Sequence, residues 1–351
     1  MRSAILGLAV LMLAATLPTA AQTKSSALLV MLRHNKAAGA MAIVDPVTGK
    51  ITARVRTGED PHGVAVSADG RTAFVVNTSG KDGESLSVID VVGQKEIRRL
   101  NFPKSRPHDV QVSRGKAYFT AGGQNAIGRY DPVRNQTDWL STGTYGTRMM
   151  SIHEASDTLY ASSQSSKNVL ILEGISKAPS EVKLTVVPIG HAGEGISVSP
   201  NGKEVWTANN DKSGVSIVDI ATKKVVTIPI STDHANRIQF SPDGRRVLLL
   251  DREVGTLIIF DAVNKKELKR INPPGAHPGD LVGIGDITMA ADGSHAYISV
   301  QDMDDSGPRD KARQVAGGGH YVAAIDLKTL EISSKIATDV AGDEMAWAEM
   351  K

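Results

Sequence analysis

The sequence predicts an all-β chain folded as a seven-bladed β-propeller with four antiparallel strands per blade. Three observations predict it. Lines of similar sequence recur along the chain. Each line pairs two short alternating apolar strands across a polar turn. A third strand follows, usually ends in aspartate, and leads through another turn into a fourth. Four short strands per 40 to 50 residues is the period of a propeller blade, whereas a solenoid of strands repeats faster.

The first two strands of each unit read HGVAVSADGRTAFVVN (62–77), HDVQVSRGKAYFTA (108–121), RMMSIHEASDTLYASS (148–163), EGISVSPNGKEVWTAN (194–209), NRIQFSPDGRRVLLLD (236–251) and GDITMAADGSHAYISV (285–300). Gly70, Gly202, Gly244 and Gly293 follow Asp or Asn at the turns, where a tight hairpin demands positive φ. Third strands end at Asp45, Asp90, Asp131, Asp219, Asp261 and Asp326. An aspartate that opens a turn accepts hydrogen bonds from backbone N–H groups two or three residues on, so these carboxylates read as structural rather than catalytic.

The repeats begin at His62, His108, Arg148, Glu194, Asn236, Gly285 and Asp343. Residues 27–57 supply only three strands, while 342–350 supply a spare one in phase with HGVAVS. The expected organisation is therefore blade 1 from 27–57 plus 342–350, and blades 2–7 within 62–337. The C-terminal strand should join blade 1 and close the ring, leaving no open edge. AFVVN at 73–77, VWTANN at 205–210, the SPDG turn at 241–244, and the segments VIDVVGQKEI and IVDIATKKVV resemble the YVTN-repeat β-propeller family of YncE-like exported proteins. The resemblance spans residues 26–351. It implies the fold and export, and it implies no one activity.

Arg2, an apolar run over 5–17 and the small residues Pro18-Thr19-Ala20-Ala21 read as a signal peptide over 1–21, cleaved after Ala21. The domain is then 22–351, periplasmic or secreted. No later segment is apolar for long enough to span a bilayer. The chain has no cysteine, which excludes thiolate metal sites, c-type haem attachment and a Cys nucleophile. A formal charge of +2 without a clustered basic footprint disfavours nucleic acid.

Strand alternation gathers the long connections on one face, with loops expected at 58–62, 101–108, 143–148, 188–194, 231–236, 272–286 and 301–320 among others. Long loops on a rigid scaffold are where sites usually lie. Seven of the nine histidines fall on this face: His34, His62, His108, His191, His234, His277 and His320. Imidazoles converging on one mouth suit Zn²⁺, Cu²⁺ or iron. His62, His108, His234 and His320 are the candidate ligands of a divalent metal, the one cofactor the residues suggest. The alternative is a strand-entry role, since Pro61-His62-Gly63 and Pro107-His108-Asp109 place each imidazole near backbone.

Residues at strand entry should ring the mouth: His62, His108, Arg148, Glu194, Asn236 and Asp343, with Asp109, Arg237, Asp286 and Glu344 one step along. Such a ring suits a small polar or anionic ligand, or a hydrated funnel of self-paired charge. The leading expectation is a binding or scaffold protein recognising a protein partner or such a ligand. A lactonase-like hydrolase using His62, His108, Arg148 and Glu194 is the enzymatic alternative, by analogy of fold. An electron-transfer partner akin to haem d1 and quinoprotein propellers is a third. Loop 301–320 reads as a mobile lid, a partner-binding loop or a plain exposed loop; Asp302, Asp304 and Asp305 hint at calcium, but Arg313 stands where the closing glutamate of an EF-hand loop belongs. HExxH, GxSxG, phosphate-loop and dinucleotide-binding patterns are absent.

Overall fold

The structure, a computed structural model, describes residues 26–32, 38–79, 84–211, 214–232, 234–252, 255–274, 284–300, 319–338 and 342–351. The expected signal segment, His34, His277 and all but the last two residues of loop 301–320 lie outside the described residues.

The repeat lines fold as antiparallel four-stranded sheets. One comprises Val110–Ser113, Lys116–Ala121, Ala126–Asp131 and Gln136–Ser141. Four more repeat the plan over 147–188, 193–228, 235–271 and 284–337. A sixth sheet has seven strands. Its order runs from the C-terminal Gly342–Glu349 through Ser26–Leu32, Ala38–Asp45, Lys50–Val66, Thr72–Ser79 and Ser85–Asp90 to Lys95–Asn101. The last strand of the chain pairs with the first described one, in a register that sets Leu28 opposite Trp347 and Val30 opposite Met345.

One expected loop is missing. Lys50–Val66 is a single 17-residue strand that runs through 58–62. Residues up to Glu59 pair with Ala38–Asp45, and from Glu59 onward with Thr72–Ser79. Asp60 bends it at φ +53°, and the Thr78 hydroxyl donates to Asp60 Oδ2 at 2.7 Å. The ladder hands over from one partner strand to the other, so the segment that looked like a connection keeps its backbone bonds.

The turns follow their sequence signatures. Gly70, Gly202, Gly244 and Gly293 have φ between +66° and +75°. Asp261 Oδ1 accepts from the N–H of Val263 and Asn264 at 2.9 and 2.8 Å, and Asp326 Oδ1 from Lys328 and Thr329 at 2.7 and 2.9 Å. Hydrogen bonds from the turn hold the carboxyls of Asp45, Asp131, Asp219, Asp261 and Asp326 below the usual range.

The core lies between sheets. Leu248, Leu250, Leu257 and Ile259 of one sheet pack on Ile287, Met289, Ile298 and Ile325 of the next. Leu28, Val30 and Val44 of the long sheet meet Tyr297, Val322 and Ile336 of the last one in the same way. Burying each such side chain contributes about 1.5–3 kcal/mol. The innermost strands touch in sequence: 62–66 meets Val110–Ser113, then Thr147–His153, Gly193–Val198, Ala235–Phe240, Ile284–Met289 and Gly342–Glu349, which returns to Lys50–Val66.

Candidate functional site

Entry into the inner strands is irregular, and that irregularity aims the polar side chains. Register shifts occur between Pro61 and Val64, Thr147 and Met150, Gly193 and Ile196, Ala235 and Arg237, and Ile284 and Ile287. Such bulges free a backbone N–H and turn its residue. Side chains of the second strand take up backbone N–H groups at strand entry, at the bulges and also in the repeat of 108–121, which has no bulge. Thr120 Oγ1 accepts from the N–H of His108 and Asp109 at 3.1 and 3.0 Å, and Ser299 Oγ from that of Asp286 at 3.0 Å. Ser162 and Ser299 also donate to the Glu194 and Asp343 carbonyls of the next inner strand, at 2.6 and 3.0 Å. Gly63 and Gly195 allow neighbouring strands to approach: a Cβ on Gly195 would lie 2.5 Å from the Asn236 carbonyl oxygen.

The two histidines share a local device. Asp60 and Arg106 both adopt left-handed φ, +53° and +49°, and each precedes a Pro-His pair. Proline bars the right-handed helical region to the residue before it. The repeated device brings the rings of His62 and His108 to 3.9 Å between centroids.

Below them lies a charged knot. His62 Nδ1 is 3.0 Å from Glu344 Oε1, and His62 Nε2 is 3.8 Å from Asp343 Oδ2. Arg237, its side chain 5% exposed, donates to Glu344 Oε1 at 3.0 Å and approaches Asp286 Oδ1 at 3.5 Å and Glu194 Oε1 at 3.8 Å. It also donates to Asn236 Oδ1 at 2.9 Å. Arg148 Nε donates to Glu194 Oε1 at 2.9 Å, while Gln164 and Asn210 donate to Glu194 Oε2. Asp109 and Asp286 accept from the N–H of Met150 and Met345, at 2.8 and 2.9 Å.

Five buried carboxylates thus face two guanidinium groups, and the electrostatics follow. Burial and then the Glu344 charge raise Asp109 well above the usual range. The same causes raise Asp286 to about 7. Burial opposes ionisation of Glu194 too, but Arg148 and Arg237 outweigh it and the net shift is downward. Burial disfavours the charge on Arg237, yet Glu344, Asp286 and Glu194 hold it protonated more firmly than usual.

Two hollows flank the knot and share no lining residue. The outer one, about 420 Å³, is lined by His62, His108, Arg106, Arg148, Arg252 and Tyr145 among others, with Glu84 its single acidic residue among the described ones. The inner one, about 390 Å³, is lined by Asp109, Arg237, Asp286 and Glu344, then by Gln111, Ser151, Ser197 and Gln239 one pleat further along the strands.

Similar architecture is known in other proteins. Kuenenia stuttgartiensis hydrazine synthase aligns with a TM-score of 0.63 at 19% identity, over 86% of this chain and 90% of that one. Apo AztD from Citrobacter koseri gives 0.68 at 11% identity, over 93% and 98%. Dihydro-haem d1 dehydrogenase NirN in complex with DHE gives 0.60 at 15%, over 96% and 78%. The chain has a β-propeller fold. No family model matches it, and no curated protein matches its sequence. At these identities the likeness is one of propeller architecture alone.

The propeller scaffold brings His62, His108, Arg148, Glu194, Asn236, Arg237, Asp286, Asp343 and Glu344 to one region, as their shared repeat phase predicts. His234 and His320 are not in the group whose ligand atoms lie close enough to hold a metal, which among the described residues is His62, His108 and Glu344. His234 precedes its inner strand, and its N–H donates to Asp251 Oδ1 at 3.2 Å. His320 enters a third strand, Tyr321–Asp326. Sequence reasoning missed Arg106, Gln164, Asn210 and Arg252. Three of these share a register that could have found them: Gln164, Asn210 and Arg252 each follow the last residue of a second strand.

Proposed function

We propose that the chain is an exported, YVTN-type, seven-bladed propeller closed by its C-terminal strand, and that it binds a small anionic ligand in the outer hollow. Seven blades follow if the long sheet divides at Glu59, and the return of Gly342–Glu349 to Lys50–Val66 supports closure. Among the described residues no helix is long and apolar enough to cross a membrane.

The binding reading rests on one observation: Arg106, Arg148 and Arg252 line a hollow that holds, among the described residues, a single carboxylate. Arg148 uses its Nε on Glu194, and Arg106 donates from Nη1 to the Tyr145 hydroxyl at 3.0 Å. The remaining guanidinium donors suit the forked geometry of a carboxylate or phosphate. The volume fits a ligand of small-metabolite size.

The test is calorimetric and thermal-shift titration of the metal-stripped mature chain with succinate, glutarate and inorganic phosphate, against Arg148→Ala and Arg106→Ala. At least one anion should bind, and each variant should weaken it about tenfold, as loss of a charge-assisted pair predicts. Millimolar anion without effect, or variants that bind like wild type, would refute the reading. Lactone turnover abolished by His62→Ala would replace it with the hydrolase alternative.

A further inference from the structure

We propose that His62, His108 and Glu344 form a site for one divalent transition-metal ion of the zinc class, at the floor of the outer hollow. The inference goes beyond anion binding and stands or falls without it.

Three observations carry it. The first is geometric. One ligand atom from each of the three residues lies within 4.8 Å of the other two, and the His62 Nδ1 to Glu344 Oε1 separation is 3.0 Å. Tetrahedral zinc with bonds of about 2.0–2.1 Å places its ligand atoms about 3.4 Å apart. The widest separation would have to close by up to about 1.4 Å, shared between two side chains, to complete the set.

The second is an unsatisfied nitrogen. His62 is 7% exposed, and its Nδ1 faces the Glu344 carboxylate without forming a hydrogen bond. A buried polar atom without a partner costs about 1–3 kcal/mol. A bound ion would convert that close, misaligned contact into two coordination bonds.

The third is charge. Asp109, Glu194, Asp286, Asp343 and Glu344 are all buried, against the guanidinium groups of Arg237 and Arg148. Arg237 divides its charge among Glu194, Asp286 and Glu344, so it does not neutralise Glu344 alone. A dication would give Glu344 a cation that it need not share with Glu194 and Asp286. Arg237 would at the same time orient Glu344 from behind, as outer-shell partners of metal ligands do. Two imidazoles favour zinc, copper or nickel over calcium or magnesium, which take oxygen ligands. His62 and His108 line the outer hollow, so the fourth position would open toward it.

The experiment uses the mature chain stripped with EDTA and exchanged into metal-free buffer. Titration with Zn²⁺ alone, followed by calorimetry and melting temperature, should show one ion per chain and a rise in Tm. Co²⁺ should give the visible absorption of a four-coordinate nitrogen–oxygen site. His62→Ala and His108→Ala should each weaken Zn²⁺ by about a hundredfold or more and abolish the cobalt spectrum, since outer-shell changes alone cost 10–100-fold. Glu344→Gln, which keeps the side-chain volume, should weaken it as well. His191→Ala, remote and paired with Asp211, should bind like wild type. No Zn²⁺ binding tighter than about 100 μM, or full affinity in both histidine variants, would overturn the site. Anion binding is measured separately in EDTA, so loss of one result leaves the other standing.

Discussion

Asp286 carries the most telling pH dependence of any single residue. Its carboxyl sits against Arg237, hydrogen-bonded to the Met345 N–H, with Glu344 and Asp109 as acidic neighbours. Burial, reinforced by Glu344, places its pKa at about 7, above the ordinary 3.8. Between those values the folded chain holds a proton that the unfolded chain has released. Stability contributed by this group is therefore present below about pH 4 and lost as pH rises toward 7, at up to about 1.4 kcal/mol per unit. The turn aspartates act with the opposite sign: their carboxyls are depressed, so their contribution is present at neutral pH and lost in acid. Asp286→Asn, which keeps an acceptor for Met345, should flatten the decline in Tm between pH 5 and 8 and raise Tm at pH 8. A variant whose Tm tracks wild type across that range would show that Asp286 is ionised throughout. At this scale the sequence was partly legible. His62 and His108 stand at one repeat phase and Glu344 one step along, so aligning the copies found them. Nothing in that alignment could reveal that Arg237 reaches Glu194, Asp286 and Glu344 together, because the phase fixes a position along a strand and leaves the span of the side chain open.

Strand entry is the element on which the site depends. Thr120 Oγ1 takes the backbone N–H groups of His108 and Asp109, just ahead of the inner strand Val110–Ser113. Thr120→Val keeps the shape and removes the acceptor, leaving both donors buried. It should destabilise the fold by about 2–6 kcal/mol, at the usual 1–3 for each orphaned group, as read by urea unfolding. Gly195→Ala tests the close approach: its methyl would press on the Asn236 carbonyl at 2.5 Å, so the two inner strands would have to separate. The predicted effect is a lower Tm together with weaker Zn²⁺ and anion binding. An unchanged Tm in either variant would mean that the bulges tolerate slack. Paired strands and hairpin turns were readable from alternation and from Asp-Gly. The continuity of Lys50–Val66 was not. Pro61 and the polar run before it look like a loop, and only the change of partner strand at Glu59 keeps that segment in a ladder.

At the scale of the whole molecule, the C-terminal strand holds the first and last repeats together. Gly342–Glu349 pairs with Ser26–Leu32 and packs beside both Ile284–Met289 and Lys50–Val66, and it supplies Asp343 and Glu344 to the knot. Removing residues 342–351 should bare two apolar interfaces and a sheet edge at once. The truncated chain should aggregate or melt far below wild type by calorimetry, and a truncation that keeps the wild-type Tm would sink the closed ring. This arrangement was anticipated because the spare C-terminal strand matches the missing one in phase. Which side chains would meet across the bore was not, since that depends on how far each inner strand tilts and bulges.

The knot around Arg237 also divides the interior. No residue lines both hollows, and Arg237 with its carboxylates stands between them. If that charged layer seals the axis, the outer chamber is a blind alley. Whatever enters at the rim must leave by the same door, so residence time would be governed at the threshold by Arg106, Arg148 and Arg252, and traffic straight through the molecule would first require dismantling its most densely charged layer.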